Sequence, residues 1–258
     1  MRRYAKRLAG LTALAVLVLA VAWKMLPDTA EAQNAGNTAR NSHSLVLSAC
    51  TPASKPNGAT VLDVPYISQD DYPTGCESVS AVMLLQYWGI DIDVDTFIDD
   101  YLDCGQFTWQ GETRIGPSPH DRFVGNPRSE NSYGCYAPVI ERAVTGLLPE
   151  DYAVVNRTGS VLPALAQRYL DRQIPVLIWA TIDMKETYVS ASWVNEKDGS
   201  TVQWLVNEHC LVLVGYDDES YYCNDPNRNG GVTRYSRELL ESRFKSMGSQ
   251  ALAIVPDK

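Results

Sequence analysis

Apolar positions fall along this chain in blocks of different period, and each period predicts an element. Leu8 to Trp23 is a continuous apolar run, whereas residues 33–57 are rich in Asn, Ala, Ser, Thr, Pro and Gly and show little periodicity. Val61-Leu-Asp-Val-Pro-Tyr-Ile67 reads as a short strand that opens the folded part near Thr60. Val79, Val82, Met83, Leu85 and Trp88 recur at helical spacing and leave little of that helix for solvent, so it is expected to be central and to stop at Gly89. A second helix is expected over Val94–Leu102, and further ones over Pro138–Leu148 and Ser160–Arg172. Ile174–Ile182 is almost wholly apolar and short enough for a central strand. Asp198-Gly199 sits between Tyr188–Val194 and Thr201–Val206, the pattern of a hairpin; Cys210–Tyr216 and Tyr221–Asn224 follow as a further strand pair. Helices precede antiparallel strands, which predicts an α+β fold. Residues 103–135 have no clear period, and a segment that long within a compact domain is usually functional or disordered.

The chain of 258 residues has room for one sizeable domain and an appendage. Arg2, Arg3, Lys6 and Arg7 precede the first apolar run, the layout of an export signal that keeps the N-terminus in the cytoplasm. Pro27 then breaks the run, and Ala30-Glu31-Ala32 offers a small-x-small cleavage site. Cleavage after Ala32 and retention as a membrane anchor both remain open. The expected organisation is thus residues 1–32 as signal or anchor, 33–57 as a flexible linker and 58–258 as the domain, outside the cell or on its surface. Five of the 22 basic and two of the 31 acidic residues lie in the first 32, which leaves the remainder with a net charge of −12. Such a surface repels phosphate backbones and argues against nucleic acid as a partner. Any membrane contact is expected only through the N-terminal segment, and a monomer is expected.

Six cysteines (50, 76, 104, 135, 210 and 223) form no Cys-x-x-Cys pair, and His43, His120 and His209 are scattered, so no metal site is expected. Leu47-Ser48-Ala49-Cys50 has the look of a lipoprotein box but lies too far beyond the apolar run. Cys104 and Cys135 flank the long segment and could either bridge or stay as free thiols. Asp91, Asp93 and Asp95 alternate like a calcium loop, but Thr96 stands where Gly is needed and Leu102 where Glu is needed; these acids are expected to be solvated.

Thr74-Gly75-Cys76-Glu77 opens the central helix, and Thr74 with Glu77 fits a capping box. Cys76 would then occupy the first turn, where free amides and the helix dipole favour a thiolate nucleophile. A nucleophile needs a base, a group to orient the base and donors for the oxyanion. His209, at the head of the strand Cys210–Tyr216, is the natural base; His43 and His120 lie in the linker and the long segment. The orienter should come from the next strand. A strict two-residue turn at Asp218-Glu219 sets Asp225 on the wrong face and favours Asn224, whereas a bulge would restore Asp225, so strand parity leaves the two even. The Cys76 amide and the side chain of Gln69, seven residues upstream, are candidate oxyanion donors.

Gln69, Gly75-Cys76, His209 with the following Val-Gly-Tyr, and Asp225-Pro226 together resemble the papain-like cysteine peptidases over roughly residues 61–256. The likeness is to family thirty-nine, and within it to stand-alone, exported relatives of enzymes that clip bacteriocin leader peptides. This resemblance implies a papain-like fold in which the nucleophile's helix packs on an antiparallel sheet carrying the histidine. It implies Cys76 as nucleophile, His209 as general base, Asp225 rather than Asn224 as orienter and Gln69 as oxyanion donor, with no cofactor. Leader-processing members usually have Asp before the cysteine and Gly after it; Gly75 and Glu77 stand here, which leaves double-glycine specificity open.

The expected function is cleavage of a peptide or related amide bond through an acyl-enzyme. Residues 103–135 would overhang the cleft, with Trp109, Tyr133 and Tyr136 touching a peptide or protein substrate. The same residues would serve a transpeptidase or a cell-wall peptide amidase, and a binding module that keeps the fold without the chemistry is a third possibility.

Overall fold

A computed structural model describes residues 60–257. The expected signal or anchor, the linker, His43 and Cys50 lie outside the described residues. Among the described residues no helix is long and apolar enough to cross a membrane.

In chain order the elements are β1 (Thr60–Val61), α1 (Cys76–Tyr87), α2 (Val94–Thr96, continuing as a π-turn over Phe97–Tyr101), β2 (Cys104–Gly105), β3 (Thr108–Gln110), β4 (Thr113–Gly116), β5 (Phe123–Val124), α3 (Ala137–Thr145), β6 (Tyr152–Asn156) and α4 (Leu162–Tyr169). There follow β7 (Val176–Thr181), β8 (Val189–Asn195), β9 (Thr201–Leu205), β10 (Glu208–Tyr216), β11 (Ser220–Asn224), β12 (Val232–Ser236), α5 (Arg237–Ser246) and β13 (Ala251–Pro256). The main sheet is antiparallel in the order β12-β11-β10-β7-β13-β6, with β1 paired antiparallel to the end of β10. The fold is therefore α+β with the cysteine's helix laid on the sheet that carries the histidine.

α1 is buried from Cys76 to Leu85, and its Ser80 hydroxyl donates to the Cys210 carbonyl of β10 at 3.1 Å. Its burial is nearly all-round, because the sheet lies on one side and α2 and α3 lie on others; this is why its apolar positions show no single polar face. β7 and β10 are buried throughout apart from the half-buried Tyr216 at the end of β10, as continuous apolar runs predict for strands covered on both faces.

Several expectations need correction. The strand expected over residues 61–67 has ladder partners only at Thr60 and Val61, followed by one bond from the Leu62 amide to the Val214 carbonyl. Pro65 lacks an N–H, and the carbonyls of Val64 and Pro65 accept instead from the Asn224 side chain at 2.9 and 3.2 Å. The 103–135 segment is ordered rather than loose. β3 and β4 join the β8–β9 hairpin in a four-stranded sheet, and β2 pairs with β5. Asp91, Asp93 and Asp95 are exposed as expected, and Asp95 also pairs with Arg128 at 2.6 Å, as Asp99 does at 2.8 Å. Of the two outcomes left open for Cys104 and Cys135, the structure has the free thiols.

Trp179 at the centre of β7 is fully buried, and its indole N–H donates to the Cys135 carbonyl at 3.0 Å, fastening the end of the 103–135 segment to the main sheet. Trp179→Phe should cost about 2–4 kcal/mol through an unpaired buried acceptor and a small cavity. The check is the urea midpoint at unchanged m-value.

Candidate functional site

Gly75 rather than Thr74 is the N-cap of α1, and no side chain caps this end. The expected capping box is therefore not formed. Thr74 turns its hydroxyl to the carbonyls of Asn126 and Ser129, and Glu77 is fully buried. Gly75 is needed for steric reasons, because a Cβ there would come within 2.8 Å of the Tyr72 Cβ and 3.1 Å of the Pro127 Cβ. Cys76 follows in the first turn, where its amide has no partner within the helix.

β10 brings the imidazole to the same place. His209 and Cys76 both line a cleft of about 150 Å3 together with Gln69, Tyr133, Trp204 and Glu208. The Cys210 amide donates to Cys76 Sγ at 3.4 Å, so helix start and strand start are in direct contact. Gln69 is held by its backbone, its N–H on the Pro226 carbonyl at 2.9 Å and its carbonyl on the Tyr72 N–H at 2.7 Å; its side-chain oxygen is buried without a partner.

The ambiguity between Asp225 and Asn224 is resolved by a bulge. β10 pairs with β11 as Tyr216↔Tyr221 and Gly215↔Tyr222, then slips to Leu213↔Cys223 and Val212↔Asn224, leaving Val214 as the extra residue. Continued one step, that register sets Asp225 opposite Leu211, on the same face as His209. His209 Nε2 lies 2.7 Å from Asp225 Oδ1, with side-chain exposures of 1% and 2%. A carboxylate only accepts, so Nε2 carries a proton; Nδ1 is buried without a partner and bears the lone pair of the neutral imidazole. Asp225 is held in turn by the Asn227 amide at 3.0 Å and by the Tyr235 hydroxyl. Burial pushes its pKa up, but the bonds from His209, Tyr235 and Asn227 outweigh burial and hold it below the usual carboxylate value. Asn224 is occupied with Val64 and Pro65 and takes no part in this pair.

The thiol itself departs from expectation. Burial, then the neighbouring Glu77 and Glu208, push the Cys76 pKa well above its ordinary value, and the Cys210 amide only partly offsets them. Its Sγ donates to Glu77 Oε2 at 3.3 Å.

Of the three aromatic residues expected at the cleft, only Tyr133 lines it. Its hydroxyl is held by Arg114 at 2.9 Å. Tyr136 is buried behind, its ring stacked on Trp204 at 5.7 Å. Trp109 is 65% exposed on β3 and lines a different groove with Arg114 and Trp193, because β3 is the outer edge of the small sheet. His120 is exposed and lies against Tyr136.

A family model described as the Peptidase_C39 like family matches residues 61–252. The chain belongs to that family. The Bacillus subtilis (strain 168) protein YvpB, itself described as uncharacterized, is 30% identical over 204 residues, which cover 76% of each chain. The crystal structure of a Bacillus anthracis protein described as a C39-like peptidase is 30% identical and superposes with a TM-score of 0.66, covering 76% of this chain and 96% of that one. Trp204 and Glu208 at the cleft and Tyr235 on Asp225 are site residues that no motif in the sequence marks. Glu208 still carries a usable signal: it is an acid standing directly before a histidine at the head of an otherwise apolar strand.

The imidazole geometry predicts an Nε2–H protected from exchange in proton NMR spectra. That resonance should be lost in Asp225→Ala and kept in Asn224→Ala.

Proposed function

We propose that this chain is an exported thiol hydrolase that cleaves peptide or related amide bonds, with Cys76 as nucleophile, His209 as general base and acid, Asp225 as orienter and Gln69 as oxyanion donor. One observation carries the reading: a buried imidazole is locked by a carboxylate through Nε2, and its free Nδ1 belongs to the same cleft as a cysteine at a helix start. Family membership supports the peptidase fold.

Nδ1 takes the proton of the Cys76 thiol as Sγ attacks the substrate carbonyl, and returns it to the leaving amine, which departs from the acyl-enzyme. Water then enters and gives a proton to the same nitrogen as its oxygen attacks the acyl carbon; the C–S bond breaks, the acid leaves and the proton returns to Sγ. Charge on the carbonyl oxygen is met by the Cys76 amide and the Gln69 side chain, whose backbone is fixed on both sides. Tyr133 and Trp204 form an aromatic wall for the substrate chain. The basic residues before the apolar run at Leu8–Trp23 support delivery outside the cytoplasm, by a cleaved signal or an anchor.

Cleavage profiling of a peptide mixture with wild type and Cys76→Ala tests the proposal. Products should disappear in the variant, whereas residual activity within tenfold of wild type would remove the nucleophile assignment. Gln69→Ala should lower kcat by roughly 100-fold, the usual cost of one oxyanion donor, with little change in KM. A wild-type kcat in this variant excludes Gln69 from the oxyanion site.

A further inference from the structure

Behind the cysteine lies a feature that the hydrolytic scheme leaves unused. Glu77 follows Cys76 on α1 and Glu208 precedes His209 on β10; both carboxylates are buried, and each can place an oxygen within 4.8 Å of the other and of Cys76 Sγ. Glu77 Oε1 accepts the Cys135 amide at 2.6 Å, and Oε2 accepts the Cys76 thiol at 3.3 Å. Glu208 Oε1 is buried with no partner. Gly134 lies against both, since a Cβ there would fall 2.5 Å from Glu77 Oε1 and 3.0 Å from Glu208 Oε2. No Lys, Arg or His among the described residues forms an ion pair with either acid.

We propose that Glu77 and Glu208 are a carboxyl pair that retains one proton at neutral pH and sets the ionisation of Cys76, acting as positioning residues rather than as acid or base toward substrate. The proposal rests on Cys76 being the nucleophile. Two unpaired anions this close and this far from water would each raise the other's energy, so one carboxyl keeps its proton. Burial and then Glu77 push Glu208 well up, while burial lifts Glu77 from 4.5 to about 7 against the hydrogen bonds it receives. The other titratable groups facing the pair are Cys76 on α1, Cys210 on β10, and Cys135 and Tyr136 from the end of the 103–135 segment; burial, with both acids, raises all four. The imidazole of His209 is turned to Asp225 instead.

In the resting site Glu77 Oε2 accepts the hydrogen bond of the thiol and holds Sγ as SH, while Glu208 keeps the proton of the pair. On reaction the thiol proton passes to His209 Nδ1 and the pair keeps its own, so the proton count balances. Loss of the pair's last proton would set two negative charges against Sγ and oppose the thiolate. The pair also leaves a mark on folding. The folded state holds protons that the unfolded chain releases, so stability should fall as pH rises from about 4.5 through about 7 as Glu77 ionises, and go on falling through the raised pKa of Glu208.

The test uses near-isosteric variants and needs no substrate. Infrared spectra of the wild type near pH 7 should show the C=O stretch of a protonated carboxyl, absent from Glu208→Gln. Alkylation of Cys76 by iodoacetamide, read above the Cys76→Ala background, should reach half its maximal rate at least one pH unit lower in Glu77→Gln, roughly a tenfold gain in thiolate at neutral pH. Absence of the carboxyl band in wild type overturns the proposal, as does an alkylation profile of Glu77→Gln that superimposes on wild type. If a variant does not fold, the wild-type band and the pH slope of wild-type stability decide alone. Failure of peptide cleavage would overturn the hydrolase reading and leave the carboxyl band unaffected, so the two fail separately.

Discussion

The contact on which the rest of the site depends is the docking of α1 onto β10 at Cys210. That one residue is used through both of its backbone groups, its carbonyl accepting from Ser80 of the helix and its amide donating to Cys76 Sγ. The two bonds set how far along the strand the helix sits, and so put the start of α1 beside the start of β10. Side chains alternate along a strand, so a slip of one residue here would turn His209 away from the cysteine altogether. Burial on both sides of the contact specifies the register strongly, since ten successive residues of α1 and eight of β10 are out of solvent.

The second requirement is phase between β10 and β11, and an irregularity meets it. Val214 is skipped by the β11 ladder, yet its carbonyl is satisfied by the Leu62 amide at 2.8 Å. The N-terminal segment therefore stabilises the bulge that brings Asp225 onto the face of His209. Asn224, pushed by the same slip to the opposite face, fastens that segment through Val64 and Pro65. One residue orients the imidazole and its neighbour ties down the strand that makes the orientation possible.

This explains what could be read from the chain. Elements with a clear period were legible: α1, the β7 run at Ile174–Ile182, the β8–β9 hairpin and the α+β order all agree with the structure to within a few residues. So were Cys76, His209, Asp225 and Gln69 as residues that meet, although parity alone could not choose Asp225, because a bulge depends on contacts with the distant residues 62–65. β6, β12, α5 and β13 went unread. β13 lies between β6 and β7 in the main sheet despite being last in sequence, and nothing local announces such a long-range pairing. Trp109 and Tyr136 were misplaced because aromatic residues in a segment without period carry no information about which face they take.

Glu77 shows where local reasoning fails most instructively. Thr-Gly-Cys-Glu matches a capping box, but a box is a surface device and this helix start is interior. Solvation decides the matter by magnitude. A helix N-terminus stabilises a nearby anion by about 0.3–1 kcal/mol, at most ~2, which is about one and a half pKa units. Full burial opposes an ionised group by up to 3–5 units, and here two acids add to it. The dipole cannot win that contest, so a cysteine at the head of a buried helix is a thiol at rest. Under the proposed function, its activation would come from a base that takes up the proton as the bond to substrate forms, and the imidazole locked by Asp225 is the group in the cleft placed for that role.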